Sequence, residues 1–223
     1  MASFGKPTTV HGINDSSKHT HRMGLHLNVL YAEDVAQVLG ARKIVMDRPR
    51  ACKQPVNLRP IFDDFHNTLR LKVALGIPLS NTQHVQKRLM YGLIYDCTME
   101  KEADKVVRNP TAKTDLPVVR EYGGSASARR LPTAVENGFK DLIQKDRKAL
   151  IQIIYPKATR FACARTVKRG TGDRNRIDVA CVYDKKYELT GFDGKGPCKT
   201  NADCTYFGGN CQNHLCYVPL NHP

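Results

Sequence analysis

The chain has 223 residues, 41% apolar and 7% aromatic, which is ordinary for a globular protein and enough for one sizeable buried core. No run of 18 or more apolar residues occurs, which excludes a membrane-spanning helix. A formal charge of +14 and a pI near 9.5 draw such a chain toward acidic partners, with a polyanion such as heparin or an anionic membrane as candidates.

Residues 1 to 24 are polar, rich in histidine and serine, and lack the apolar stretch of a secretory signal. Residues 1 to 50 read as an atypical, flexible segment whose one periodic stretch is a short helix at Ala32 to Leu39. His11, His19, His21 and His26 need not mean metal there, and Asn14-Asp15-Ser16 fits the N-glycosylation tripeptide. From Pro60 the pattern becomes regular. Ile61, Phe65 and Leu69 recur every four residues, predicting an amphipathic helix from Ile61 to Leu75 that stops at Gly76 and Pro78. A second helix is expected from Thr98 to Val107, with Glu100 and Glu102 near its positive end and Asn109-Pro110 closing it. Residues 108 to 132 read as a long loop, and Pro132-Thr133 opens a third helix with Val135, Phe139, Leu142 and Ile143 as its buried stripe.

The period then changes to that of a sheet. Leu150 to Tyr155, Phe161 to Val167 and Ile177 to Tyr183 read as strands of an antiparallel meander of three or four, turning at Pro156-Lys157 and in the Gly170 to Asp173 stretch. Helices followed by such a meander make an α+β domain with helices layered on the sheet. On neighbouring strands facing one side, Cys163 and Cys181 would be able to pair. The basic groups, Arg129-Arg130 and Lys168-Arg169 through Arg174 and Arg176, are short, carry no interleaved aromatic rings and read as solvated surface; no specific nucleic-acid recognition follows.

Residues 191 to 223 form a separate cysteine-rich unit. Cys198, Cys204, Cys211 and Cys216 stand in sequence with little to pack, and a loop-rich unit of this kind is closed by disulfides, which places the chain outside the cell. A zinc knuckle is the alternative, but its cysteines usually stand two to four residues apart, against five, six and four intervening residues here.

One succession of blocks resembles a known family. His66-Asn67-Thr68-Leu69-Arg70, Tyr95 through Ala103, Ala134-Val135-Glu136-Asn137, Gln152 to Tyr155 followed by Phe161 to Ala164, and Val179 to Tyr183 are similar to the CAP superfamily in its nematode SCP/TAPS branch, the venom-allergen-like or activation-associated secreted proteins. The likeness covers residues 52 to 218. It implies a three-layer α-β-α sandwich over residues 51 to 190 with a C-terminal four-cysteine hairpin, and a structural role for His66, Asn67 and Arg70.

The family's cleft often holds two histidines and two acidic residues around a divalent metal. Here Glu121 and Asp141 are remnant candidates only. Ala149-Leu150-Ile151-Gln152 stands where the family has His-Tyr-Thr-Gln, and residues 108 to 121 contain no histidine, so no cleft metal and no cofactor are expected. His66 and His84 are read as structural, and His214 and His222 as solvent-exposed. The pairing set beside this resemblance is Cys163 with Cys181, Cys198 with Cys211 and Cys204 with Cys216, leaving Cys52 with Cys97.

No nucleophile motif is present and all eight cysteines are assigned to bridges, so catalysis is not expected. The resemblance implies a secreted, non-catalytic binding protein of a parasitic nematode that acts on a host protein or cell-surface receptor. A sterol or fatty-acid carrier and a degenerate family copy without activity are the alternatives.

Overall fold

The computed structural model describes residues 44–79, 86–126, 130–169, 175–188 and 195–221, with backbone alone for 122–126. The expected helix at 32–39, the glycosylation tripeptide, His84 and His222 lie outside them.

Strand β1 (Met46–Asp47) lies parallel to β2 (Ile94–Asp96), with Met46 opposite Tyr95 and Asp47 opposite Asp96. Between them runs helix α1 (Arg59–Leu75). Pro60 starts it, because the ring presets a helical φ and the first turn needs no N–H there. Gly76 ends it at φ 72°, a left-handed cap natural to glycine. After β2 a short 3-10 turn leads into α2 (Glu100–Arg108). Strand β3 (Val118–Ala126) follows, then α3 (Leu131–Lys145), α4 (Arg147–Ile153) and the long hairpin of β4 (Arg160–Arg169) and β5 (Asn175–Tyr183).

The strands form one mixed sheet in the order β1-β2-β4-β5-β3, parallel across the first three and antiparallel across the last pairings. On one face Phe62 and Leu69 of α1, Val135 and Phe139 of α3 and Ile153 of α4 pack with Phe161, Cys163, Cys181 and Tyr183. On the other, Ala103, Val106 and Val107 of α2 cover Ala164, Ala180 and Val182. These are the three layers of an α-β-α sandwich.

Three expectations are corrected. The loop at 108–132 contains β3, which pairs with β5 across a register shift between Glu121 and Gly124. Its paired glycines hide it, since the strand is made by its neighbour and not by its own propensity. Leu150 to Tyr155 is not a strand. Asp146 accepts from Lys148 N (2.8 Å) and Ala149 N (3.0 Å), starting α4, and Leu150 and Ile153 become one helical face. The sheet is mixed and not a meander, because β1 and β2 enter it in parallel from earlier in the chain.

The hairpin of β6 (Asn210–Gln212) and β7 (Leu215–Tyr217) is stitched to this body. Gly92 N donates to Cys216 O and Cys216 N to Met90 O, at 2.8 and 3.0 Å. A Cβ on Gly92 would lie 2.2 Å from the Tyr217 ring, so only glycine permits this approach. The last described residue also returns to the first strand: Asn221 N donates to Asp47 Oδ2 (3.0 Å), and Arg160 joins Asp47 Oδ2 (3.3 Å) to Pro219 O (3.0 Å).

Candidate functional site

His66, Asn67 and Arg70 lie on the buried side of α1, and each holds a different segment. His66 Nδ1 donates to Phe62 O (2.7 Å), so Nε2 accepts from the Tyr183 hydroxyl (2.8 Å). Burial is the main cause that lowers its pKa from 6.5 to about 3; the Phe62 carbonyl opposes this and Arg70 adds to it. Asn67 pairs its side-chain amide with both backbone groups of Leu93, at 2.7 and 2.9 Å, as a neighbouring strand would. The guanidinium of Arg70 is fully buried and donates to Tyr91 O and Ile153 O (both 2.7 Å), Ala158 O (2.9 Å) and Pro156 O (3.4 Å). Desolvation lowers its pKa to about 10, which leaves it charged at neutral pH.

Glu100 is a buried hub that sequence reading treats only as a helix-end charge. Its carboxylate accepts from the amides of Lys53 and Gln54 and from the Tyr95 hydroxyl (2.8 Å), and Arg59 lies 3.8 Å away. Tyr91 is likewise missed: its hydroxyl donates to Gly208 O (3.0 Å) and accepts from Phe207 N (2.9 Å). Neither residue carries a spacing signal, since Glu100 meets Lys53 and Gln54, and Tyr91 meets Phe207 and Gly208, across long stretches of chain.

The cysteines pair as Cys52–Cys97, Cys163–Cys181, Cys198–Cys211 and Cys204–Cys216, with no free thiol. Cys163 and Cys181 stand directly opposite on β4 and β5. In the hairpin, Cys198, Cys204 and Cys216 pack with Leu89 and Tyr91, so apolar contact joins the crosslinks in holding it. His214 is half-buried with Nδ1 3.1 Å from Cys198 O, which corrects its expected exposure.

Glu121 of β3 faces α3, where a Cβ on Gly138 would lie 3.3 Å from its Cγ. Burial raises its pKa; Lys145 acts against that rise and Asp141 with it. The two remnant carboxylates therefore do feel one another. The space beside Glu121, Val135 and Phe139 is only about 10 Å³, roughly one water. Among the described residues no histidine or cysteine clusters with these two carboxylates, which leaves them without the nitrogen and sulfur donors that zinc prefers.

A larger opening lies between α1 and α3. It is a groove of about 450 Å³ with Ile61, Phe65, Leu69 and Ile143 as its apolar lining and Lys72 and Lys140 beside them. Phe65 is fixed there by stacking on Phe139, with centroids 4.8 Å apart. A volume of this size suits one small amphiphile.

No family model matches the chain. It is 27% identical over 183 residues to the Ancylostoma secreted protein of Ancylostoma caninum, covering 71% of this chain and 42% of that one, so it spans less than half the length of that relative. Among solved structures, Ancylostoma-secreted protein Ac-ASP-7 is 36% identical with a TM-score of 0.66, over 79% of this chain and 98% of that one. Manganese-bound Ac-ASP-7 gives 34% identity and a TM-score of 0.67 over 81% and 99%.

Proposed function

The chain belongs to the nematode branch of the CAP/SCP family, and from that premise we propose that it is a secreted, non-catalytic protein that acts by binding host molecules. Its relatives are named as secreted proteins, and among the described residues no helix is long and apolar enough to cross a membrane. The observation that carries the reading is how the polar groups are used. His66, Asn67, Arg70 and Glu100 are buried and occupied in holding segments of the fold, and every cysteine is in a disulfide. Glu121 and Asp141, with Lys145 near them, are joined by no histidine or free thiol among the described residues. One solved neighbour is manganese-bound by name; here the Lys145 ammonium acts on Glu121 and opposes a bound cation. The test is turnover of peptide, ester and phosphoester substrates with and without added manganese or zinc. Wild type is expected to match Glu121→Ala/Asp141→Ala; turnover that the double variant loses would reject the reading.

A second reading, lipid carriage, is favoured by the groove between α1 and α3. An acyl chain would lie on Phe65, Leu69 and Ile143 while Lys72 meets an acidic head group, Lys140 being held by Glu136 at 2.7 Å. Thr68→Trp places a bulky ring in the groove without removing a core side chain. It should weaken displacement of a fluorescent fatty acid by about tenfold, a loss of about 1.4 kcal/mol. Unchanged displacement would exclude this groove.

A further inference from the structure

Helix α2 covers Ala164 of β4 and Ala180 of β5, and the two strands continue beyond those residues. By strand alternation Thr166 and Lys168 share the face of Ala164, opposite Asp178 and Arg176 respectively. Arg120 of β3, opposite Ala180, shares it too. One buried carboxylate, Asp178, serves two cations: Lys168 Nζ lies 3.5 Å and Arg176 Nε 3.0 Å from it, while their side chains stay 60% and 55% exposed. Two further donors, Arg120 Nε and Thr166 Oγ1, are buried without a hydrogen-bond partner. Arg169, the next residue along β4, alternates with Val167 to the opposite face.

We propose that this end of the sheet binds a linear sulfated polysaccharide. Directly opposite one another on strands about 4.8 Å apart, Lys168 and Arg176 present a two-cation array, anchored on Asp178, to a chain of repeating anions. Arginine forks engage an oxyanion through two parallel hydrogen bonds, and the array gives up little side-chain freedom in doing so. A membrane surface fits less well, because the nearest exposed apolar residue, Val167, alternates to the opposite face. Nucleic acid fits less well because the described side chains of this face include no aromatic ring. This surface is separate from the α1–α3 groove and stands whether or not that groove holds lipid.

The probe is a heparin octasaccharide. Lys168→Gln/Arg176→Gln should weaken its binding about tenfold and lower the slope of log affinity against log salt by about 2. The charge-matched Arg147→Gln/Lys148→Gln, on the exposed first turn of α4, should change affinity by less than about twofold. Equal losses in both variants, or no wild-type binding at about 0.15 M salt, would overturn the assignment. Tighter binding to phosphatidylserine vesicles than to the octasaccharide, lost in the first variant alone, would give the surface to a membrane instead. Should that variant not fold, acetylation of the wild type decides: bound octasaccharide must shield Lys168 relative to Lys148, and equal labelling rejects the proposal.

Discussion

Arg70 shows how one side chain can set the path of two loops. Its planar fork reaches carbonyls at Tyr91, Ile153, Pro156 and Ala158, groups that would otherwise be buried with fewer partners. Lysine offers a point charge and cannot span that arc, so Arg70→Lys is expected to destabilise by about 2–4 kcal/mol, read from the urea midpoint under non-reducing conditions. His66 supplies a pH dependence. Its folded pKa of about 3 lies below the ordinary 6.5, so below pH 6.5 the unfolded chain takes up a proton that the folded one refuses. Stability is then full above pH 6.5 and falls toward pH 3, by up to about 1.4 kcal/mol per pH unit. A His66→Gln variant should show a flatter urea midpoint between pH 7 and pH 4 than wild type.

Among the elements, the β6–β7 hairpin depends on Tyr91 as well as on its crosslinks. Removing the hydroxyl in Tyr91→Phe leaves Phe207 N and Gly208 O to solvent. Amide exchange around Phe207 should quicken by about tenfold while the β4–β5 amides keep their protection. The same scale explains what was legible in the sequence. Helix α1 and strands β4 and β5 declare themselves because each has a continuous apolar face with a strong start or stop, such as Gly76. Strand β3 does not, because Gly123 and Gly124 take their conformation from β5; α4 does not, because its residues suit a strand and only Asp146 tips the balance. At the candidate site, Glu121 and Asp141 could be picked out, but the groove could not. Its walls come from two helices separated by more than fifty residues, and periodicity says which face is apolar, not that two such faces stand apart.

For the whole molecule, the four disulfides differ in shelter. Cys163 and Cys181 are fully buried in the sandwich, whereas Cys52 and Cys211 are half-buried. Graded reduction followed by alkylation and mass analysis should open Cys52–Cys97 and Cys198–Cys211 first and Cys163–Cys181 last. If Cys163–Cys181 opened first, the core would have to be looser than its packing implies. Asp47 adds a different kind of closure, since its carboxylate receives the amide of Asn221 and the guanidinium of Arg160. The two ends of the domain are therefore neighbours in space, although 174 positions separate them in the chain. A short glycine-serine bridge from 221 to 46, with the chain reopened in the exposed stretch after α2, would give a circular permutant that keeps every strand pairing and every disulfide. Cooperative unfolding of that permutant, the expected result, would show that the order of synthesis is not what specifies the sandwich.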